Sequence, residues 1–273
     1  MRHLLLLLSV LPQTVPARQI AHRIIAGTTV ELQAAPWQAS IVIQNAPLCC
    51  GAVIQENFVL TSGWCVHRVA TSQLKVRVGS SSRSTGGSLI NVCGVHIHPH
   101  YNLFRYDNDL ALLQLCENVT VVENKVQVIP LATETPSDSA EAIVSGWGYT
   151  SSSSWSILWR RVHSILTLLR LYWIDWLTTG SQQLQQAQVK ILNEQQCARD
   201  VSIFGQFQPI QGISGRTLCT TGGTAGACYF DQGAPLVVNG SLVGILGKGG
   251  CAGKPDVYAN LAEHRSWLQE NTK

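Results

Sequence analysis

His96, His98 and His100 alternate along a strand-like run, so an extended chain would carry all three imidazoles on one face, as a zinc site requires. Pro99 interrupts that run, and proline removes a ladder donor. The reading kept is surface histidines, with no metal and no cofactor. Nine cysteines are the next chemistry-bearing group. In an oxidising compartment an odd number implies disulfides plus one leftover thiol. Asn118-Val-Thr120 and Asn239-Gly-Ser241 are glycosylation sequons.

The compartment is read from the N-terminus. Met1-Arg2-His3 precedes Leu4 to Leu8, Val10 and Leu11, and Val15-Pro16-Ala17 supplies a small residue for cleavage. This pattern predicts a signal peptide over 1–17, too short for a membrane span, and hence a secreted, extracellular protein. The formal charge of +3 comes from that end: residues 1–23 hold Arg2, Arg18 and Arg23 and no acid. From Ile24 onward 16 basic and 16 acidic residues balance. Nothing in the charge suggests a nucleic-acid partner.

The elements that must position these groups are mostly strands. Ser40–Gln44, Leu74–Val78, Leu110–Leu115 and Gln188–Leu192 are β-branched or alternating runs. Val237–Val243 reads as a hairpin with Asn239-Gly240 at its turn, where both residues tolerate positive φ. Tyr258–Glu270, with Leu261, Trp267 and Leu268 apolar, reads as one terminal helix. Short strands with one late helix predict an all-β barrel or sandwich.

Residues 155–179 stand apart, holding four of the eight tryptophans together with Arg160, Arg161, Arg170 and Asp175. Two readings are open: an amphipathic helix that binds a partner or membrane surface, or translated non-coding sequence. Without this stretch Thr150–Ser154 would join Gly180–Leu184 as an ordinary loop into a strand.

Seven motifs then fall in one order: Arg23-Ile-Ile-Ala-Gly27, Leu48-Cys-Cys-Gly-Ala-Val-Ile54, Thr61-Ser-Gly-Trp-Cys65, Asp107-Asn-Asp-Leu-Ala-Leu-Leu113, Ser145-Gly-Trp-Gly148, Gly226–Pro235 and Pro255-Asp-Val-Tyr258. This order resembles the trypsin-like (S1) serine proteases from Arg23 to the C-terminus. The resemblance implies two six-stranded antiparallel β-barrels with a C-terminal helix and a cleft between the barrels. It divides the chain into a signal peptide over 1–17, a short propeptide over 18–23 and a peptidase-like domain over 24–273, with 155–179 as an atypical insert.

Such proteases need a hydroxyl nucleophile, an imidazole base, an orienting carboxylate and two backbone donors for the oxyanion. The resemblance puts Gln232 at the nucleophile, Trp64 at the base and Asp109 at the carboxylate. An amide has no hydroxyl to deprotonate, and an indole N–H cannot accept a proton. Phe230 occupies the oxyanion-loop position that the family gives to glycine. His67, three residues past Trp64, is in the wrong place to serve as a substitute base. Two readings of Trp64 stay open: its indole donates to Asp109, or it plugs the cleft while Asp109 is hydrated.

Other implied parts are retained. Arg23, Ile24 and Asp231 match the activation switch, in which a freed Ile amine meets the aspartate. Gly226 stands at the pocket-acid position of trypsins; Asp256 lies on the opposite wall, and Lys248 is placed to neutralise it. The implied disulfides are Cys49–Cys65, Cys197–Cys219 and Cys228–Cys251, with Cys93–Cys116 as a fourth and Cys50 left over. The functional expectation is a secreted family member without catalysis that binds a protein or peptide, as a decoy or as a cofactor for proteases of a cascade. The alternatives are an active serine-type endopeptidase with unusual catalytic residues, or a non-functional product of a decayed gene.

Overall fold

The computed structural model describes residues 24–25, 27–149, 180–201, 212–221 and 225–273. The signal peptide over 1–17, the propeptide over 18–23, Arg23 itself and the stretch 155–179 lie outside the described residues.

After a short β1 (Thr28–Thr29), the first half of the chain forms β2 (Gln38–Ile43), β3 (Ala46–Gln55), β4 (Phe58–Thr61), β5 (Leu74–Val78), β6 (Ser88–Ile97) and β7 (Ala111–Leu115). These six close into a barrel in the order β2-β3-β4-β7-β6-β5. The second half supplies β8 (Glu141–Gly146), β9 (Gln185–Leu192), β10 (Thr217–Thr220), β11 (Pro235–Val238), β12 (Ser241–Lys248) and β13 (Asp256–Asn260). They follow the order β9-β10-β13-β12-β11-β8, and β8 pairs back onto β9 to close a second antiparallel barrel. β1 adds to the outside of β9 at Thr28↔Gln186.

Periodicity explains the barrel walls. In β5, Leu74, Val76 and Val78 are buried, while Lys75 and Arg77 between them are half-exposed. β4 and β7 are apolar on both faces for another reason. Val59 and Leu113 fill the first barrel. Leu60 and Leu112 point the other way and pack with Ile245, Ala259 and Leu268 of the second half. The two barrels therefore share one core, which fixes the wall that carries Asp109 against the wall that carries Gly247.

Three short α-helices are described: α1 (Gly63–Val66), α2 (Glu194–Val201) and α3 (Arg265–Asn271). The terminal helix is shorter than the sequence suggests. Tyr258–Asn260 belong to β13, because Tyr258 is buried between Leu218 of β10 and Leu246 of β12. A 3-10 turn at Ala262–His264 then leads into α3. The Asn239-Gly240 turn has φ of 48° and 77°, the double left-handed geometry that a right-twisted hairpin needs.

All four disulfides form: Cys49–Cys65, Cys93–Cys116, Cys197–Cys219 and Cys228–Cys251. Cys50 is free and buried. Among the described residues no helix is long and apolar enough to cross a membrane.

Candidate functional site

Asp109 follows the exposed 99–106 loop and lies two residues before β7, at the edge of the interbarrel core. Ser62 caps α1, its hydroxyl accepting the Trp64 N–H at 3.1 Å. The same hydroxyl faces the Asp109 carboxylate, with Oγ 2.9 and 2.8 Å from its two oxygens. The main-chain N–H of Trp64 donates to Asp109 Oδ1 at 2.8 Å. Burial pushes the Asp109 carboxyl up to about 6, against the opposing pull of Trp64, Ser62 and Gly63. From the second barrel, a Cβ on Gly247 would stand 2.7 Å from Asp109 Oδ2, so a larger residue there would displace the carboxylate.

The first turn of α1 thus answers both readings of Trp64. The tryptophan meets Asp109 through its backbone, not its indole. Its side chain is 36% exposed at the cleft. A serine hydroxyl and main-chain donors, rather than a ring, satisfy the carboxylate. Ser62 lies in the Thr61–Cys65 motif but belongs to none of the family's catalytic positions. Its signal was the helix-capping position two residues before Trp64.

The loop bearing Gln232 is turned in on itself. Gln232 Oε1 accepts the Phe230 N–H at 3.0 Å, so the chain's own amide takes up a donor that an oxyanion would use. Gln232 O accepts from the Cys50 N–H at 2.7 Å. Phe230 adopts φ 69°, in the left-handed region that a residue with a Cβ reaches only with strain. Its ring is 6% exposed, packs 5.3 Å from Tyr149 and belongs to the first-barrel core. That burial holds the strained backbone in place.

Asp231 is fully buried and accepts main-chain N–H groups from Gly148 at 2.7 Å and Cys228 at 3.0 Å. Burial raises its carboxyl to about 7, opposed by those hydrogen bonds and by the Arg83 guanidinium. A Cβ on Gly146 or on Gly148 would come within 2.2 Å of an Asp231 oxygen, which accounts for the Gly-Trp-Gly spacing. Ile24 is completely buried in the second-barrel core, and Ile25 bridges to Gly226.

The segments that carry the pocket positions are joined beside the Cys228–Cys251 disulfide. Cys251 N–H donates to Ala227 O at 2.9 Å, and a Cβ on Gly249 would lie 2.6 Å from that same oxygen. Asp256 is 1% exposed. It accepts from the main-chain N–H groups of Ala227 at 2.8 Å and Gly250 at 2.6 Å. A Cβ on Gly226 would reach 2.8 Å from its Oδ2. Burial raises Asp256 to about 7. Lys248 does not neutralise it: the ammonium donates to Tyr106 Oη at 2.6 Å, because the strand turns this side chain outward.

The histidines separate as the strand ends. His96 and His100 are exposed, while His98 turns inward against His264 at 5.1 Å and Trp267 at 5.0 Å between ring centroids. Burial, with His264 and His100 nearby, lowers His98 to about 4. No cluster able to hold a metal ion occurs among the described residues. His67 packs on Tyr101 at 5.4 Å. Both sequon asparagines are exposed; Asn118 donates to Glu56 at 3.3 Å.

Two closed barrels with an aspartate at the edge of their shared core, and a glycine-flanked loop opposite it, define a serine-protease type of scaffold. The trypsin family model matches residues 24–166 and 173–268, so its one internal gap falls inside 155–179. Trypsin alpha of Drosophila melanogaster is 32% identical over 92% of this chain and 88% of its own length. Hypodermin-B of Hypoderma lineatum is 33% identical over 93% of this chain and 90% of its own. Among solved structures, a scabies mite inactivated protease paralogue, S-D1, superposes with a TM-score of 0.76 at 22% identity, covering 90% of this chain and 96% of its own. Mouse neuropsin gives 0.70 at 24% identity, covering 90% and 99%. The chain belongs to the trypsin family of serine proteases.

Proposed function

We propose that this protein is a secreted trypsin-family member that does not hydrolyse peptide bonds and acts by binding a protein or peptide. The observation that carries the reading is the Gln232 Oε1 contact with the Phe230 N–H. The residue at the nucleophile position offers no hydroxyl and also occupies a donor that would stabilise an oxyanion. Trp64 cannot accept a proton, so the position beside Asp109 holds no base for that carboxylate to orient. Gly226 leaves the pocket-acid position without a charge, and Asp256 is turned onto the Ala227 and Gly250 N–H groups instead of towards a substrate side chain. With the reaction centre occupied from within, the scaffold itself is what such a protein offers a partner. Proteases of a cascade, met as a decoy or as a cofactor, are the class of partner we infer. The same fold occurs in the scabies mite S-D1 protein, an inactivated protease paralogue.

The competing reading, an active endopeptidase, is favoured by the kinship at 32% identity with Trypsin alpha. Incubating the secreted protein, cut after Arg23, with a mixed peptide library separates the two. No cleavage product is expected; sequence-specific products that vanish in a Gln232→Ala variant would establish the endopeptidase instead.

A further inference from the structure

Lys248 and Tyr106 join the two halves of the molecule beside Asp109. Lys248 ends β12 and directly follows Gly247, which abuts the Asp109 carboxylate. Tyr106 closes the 99–106 loop of the first half, three residues before Asp109. The Lys248 ammonium donates to Tyr106 Oη at 2.6 Å and stands 5.0 Å from the centre of its ring. The tyrosine is held firmly from behind. Its chain neighbours Arg105 and Asp107 clasp each other through two hydrogen bonds of 2.8 Å. A Cβ on Gly212 would come within 2.6 Å of the Tyr106 nitrogen, and the Tyr106 ring packs on Cys197, Val201 and Val257. Tyr106 therefore fixes the tip of a long side chain that would otherwise sweep through solvent, and part of the entropy that a ligand would have to remove is already gone.

The bridge keeps unused hydrogen-bonding capacity. An ammonium has three donors, and Tyr106 takes one. The phenol accepts from Lys248 and retains its own O–H to donate. Lys248 is exposed, and among the described residues no carboxylate lies within ion-pair distance of it. The acids of this region are already engaged: Asp107 by Arg105, Asp109 by Ser62 and the Trp64 N–H, Asp256 by the Ala227 and Gly250 N–H groups. All three are buried. Arg216, exposed, donates to Asn108 at 3.1 Å and brings a second positive charge to the 106–109 segment. Positive charge thus faces solvent here while the acids are turned inward, and Gly226 adds no charge from the pocket position.

We propose that the Lys248–Tyr106 bridge is a binding site for the carboxylate of an acidic peptide segment. A Glu or Asp side chain would accept from the Lys248 ammonium through one oxygen and from the Tyr106 hydroxyl through the other. A basic segment, which an acidic pocket would favour, is repelled instead. This assignment rests on the peptide-binding role proposed above and names the chemistry of the peptide.

Selection of random phage-displayed peptides on the secreted protein, cut after Arg23, tests it. Asp and Glu should be enriched over Asn and Gln. Lys248→Met should abolish the enrichment, Lys248→Glu should turn it towards Lys and Arg, and Lys248→Arg should keep it. A selected peptide should bind Lys248→Met about fivefold more weakly than the parent, the upper range for a half-exposed ion pair, and its Glu→Gln version should bind both equally. Its affinity for the parent should fall with added salt, and Tyr106→Phe should weaken the acidic peptide but not the Glu→Gln version. Peptides selected without acidic residues, or an acidic preference that survives Lys248→Glu, would overturn the site and leave peptide binding standing. Cleavage of the displayed peptides would sink the non-hydrolytic reading instead, and the site would then stand only if the residues flanking the cut were acidic. Enrichment of no peptide at all would overturn both.

Discussion

Phe230 and Gln232 close on each other: the amide oxygen of Gln232 holds the N–H of Phe230 at 3.0 Å, two residues away. The contact exists because Phe230 takes φ 69°, and Phe230 can take that conformation because its ring is buried against Tyr149. Restoring a serine at 232 would free the donor but supply no base. A Gln232→Ser variant should therefore hydrolyse an activated ester no more than about tenfold faster than the parent. Adding Trp64→His should raise that rate by about 10²–10⁴-fold, the usual contribution of a positioned base next to a carboxylate such as Asp109. Initial rates with a small ester, which needs no side-chain pocket, check both steps.

Phe230→Gly sets two effects against each other. Relief of the left-handed strain is worth about 1–2 kcal/mol. Truncating a buried phenylalanine costs about 3–5 kcal/mol. The cost outweighs the relief, so the variant should unfold about 2 kcal/mol more easily, read from urea midpoints at constant slope. A stabilised variant would mean that the strain outweighs the packing of the ring.

The buried carboxyls of Asp231 and Asp256 are raised to about 7. In the unfolded chain such groups titrate near 4. The native state thus binds more protons between those values, and the contribution of each carboxyl is present below about 4 and is lost as the pH rises towards 7. His98, lowered to about 4, acts in the opposite sense, since the neutral imidazole loses stability as the pH falls from about 6.5. Comparison with a variant isolates one carboxyl. Asp256→Asn should be less stable than the parent by a margin that is widest near pH 4 and narrows by pH 7. A margin that widens with pH would show that the Ala227 and Gly250 donors lower this carboxyl overall.

Cys50 is enclosed by Asp231, Gly146 and the Phe230 carbonyl, to which its thiol donates at 3.6 Å. Burial, with the Asp231 charge beside it, pushes the thiol far above its ordinary range. A maleimide should leave the folded protein unlabelled at pH 8 and add once on unfolding. Prompt native labelling would mean that this junction opens readily.

The sequence carried the fold well for physical reasons. Alternation in Leu74–Val78 and the Asn239-Gly240 turn are local signals, and both structures form where the pattern puts them. The cysteine pairings followed the family framework. What was not legible depends on groups distant along the chain. Tyr258 opens an apolar run that continues into the terminal helix, yet two flanking strands claim it for β13. The family framework sets Lys248 near Asp256, but its ammonium goes to Tyr106, which lies 142 positions away in the chain. Ser62 reached Asp109 across 47 positions.

The most direct test of the central claim is labelling by a fluorophosphonate, which reports an activated serine without needing a substrate pocket. The wild-type protein, cut after Arg23, should remain unlabelled, while a folded Gln232→Ser, Trp64→His, Phe230→Gly variant should label at the introduced hydroxyl. Covalent labelling of the wild type would contradict the account, because it would require a nucleophile and base outside Gln232 and Trp64.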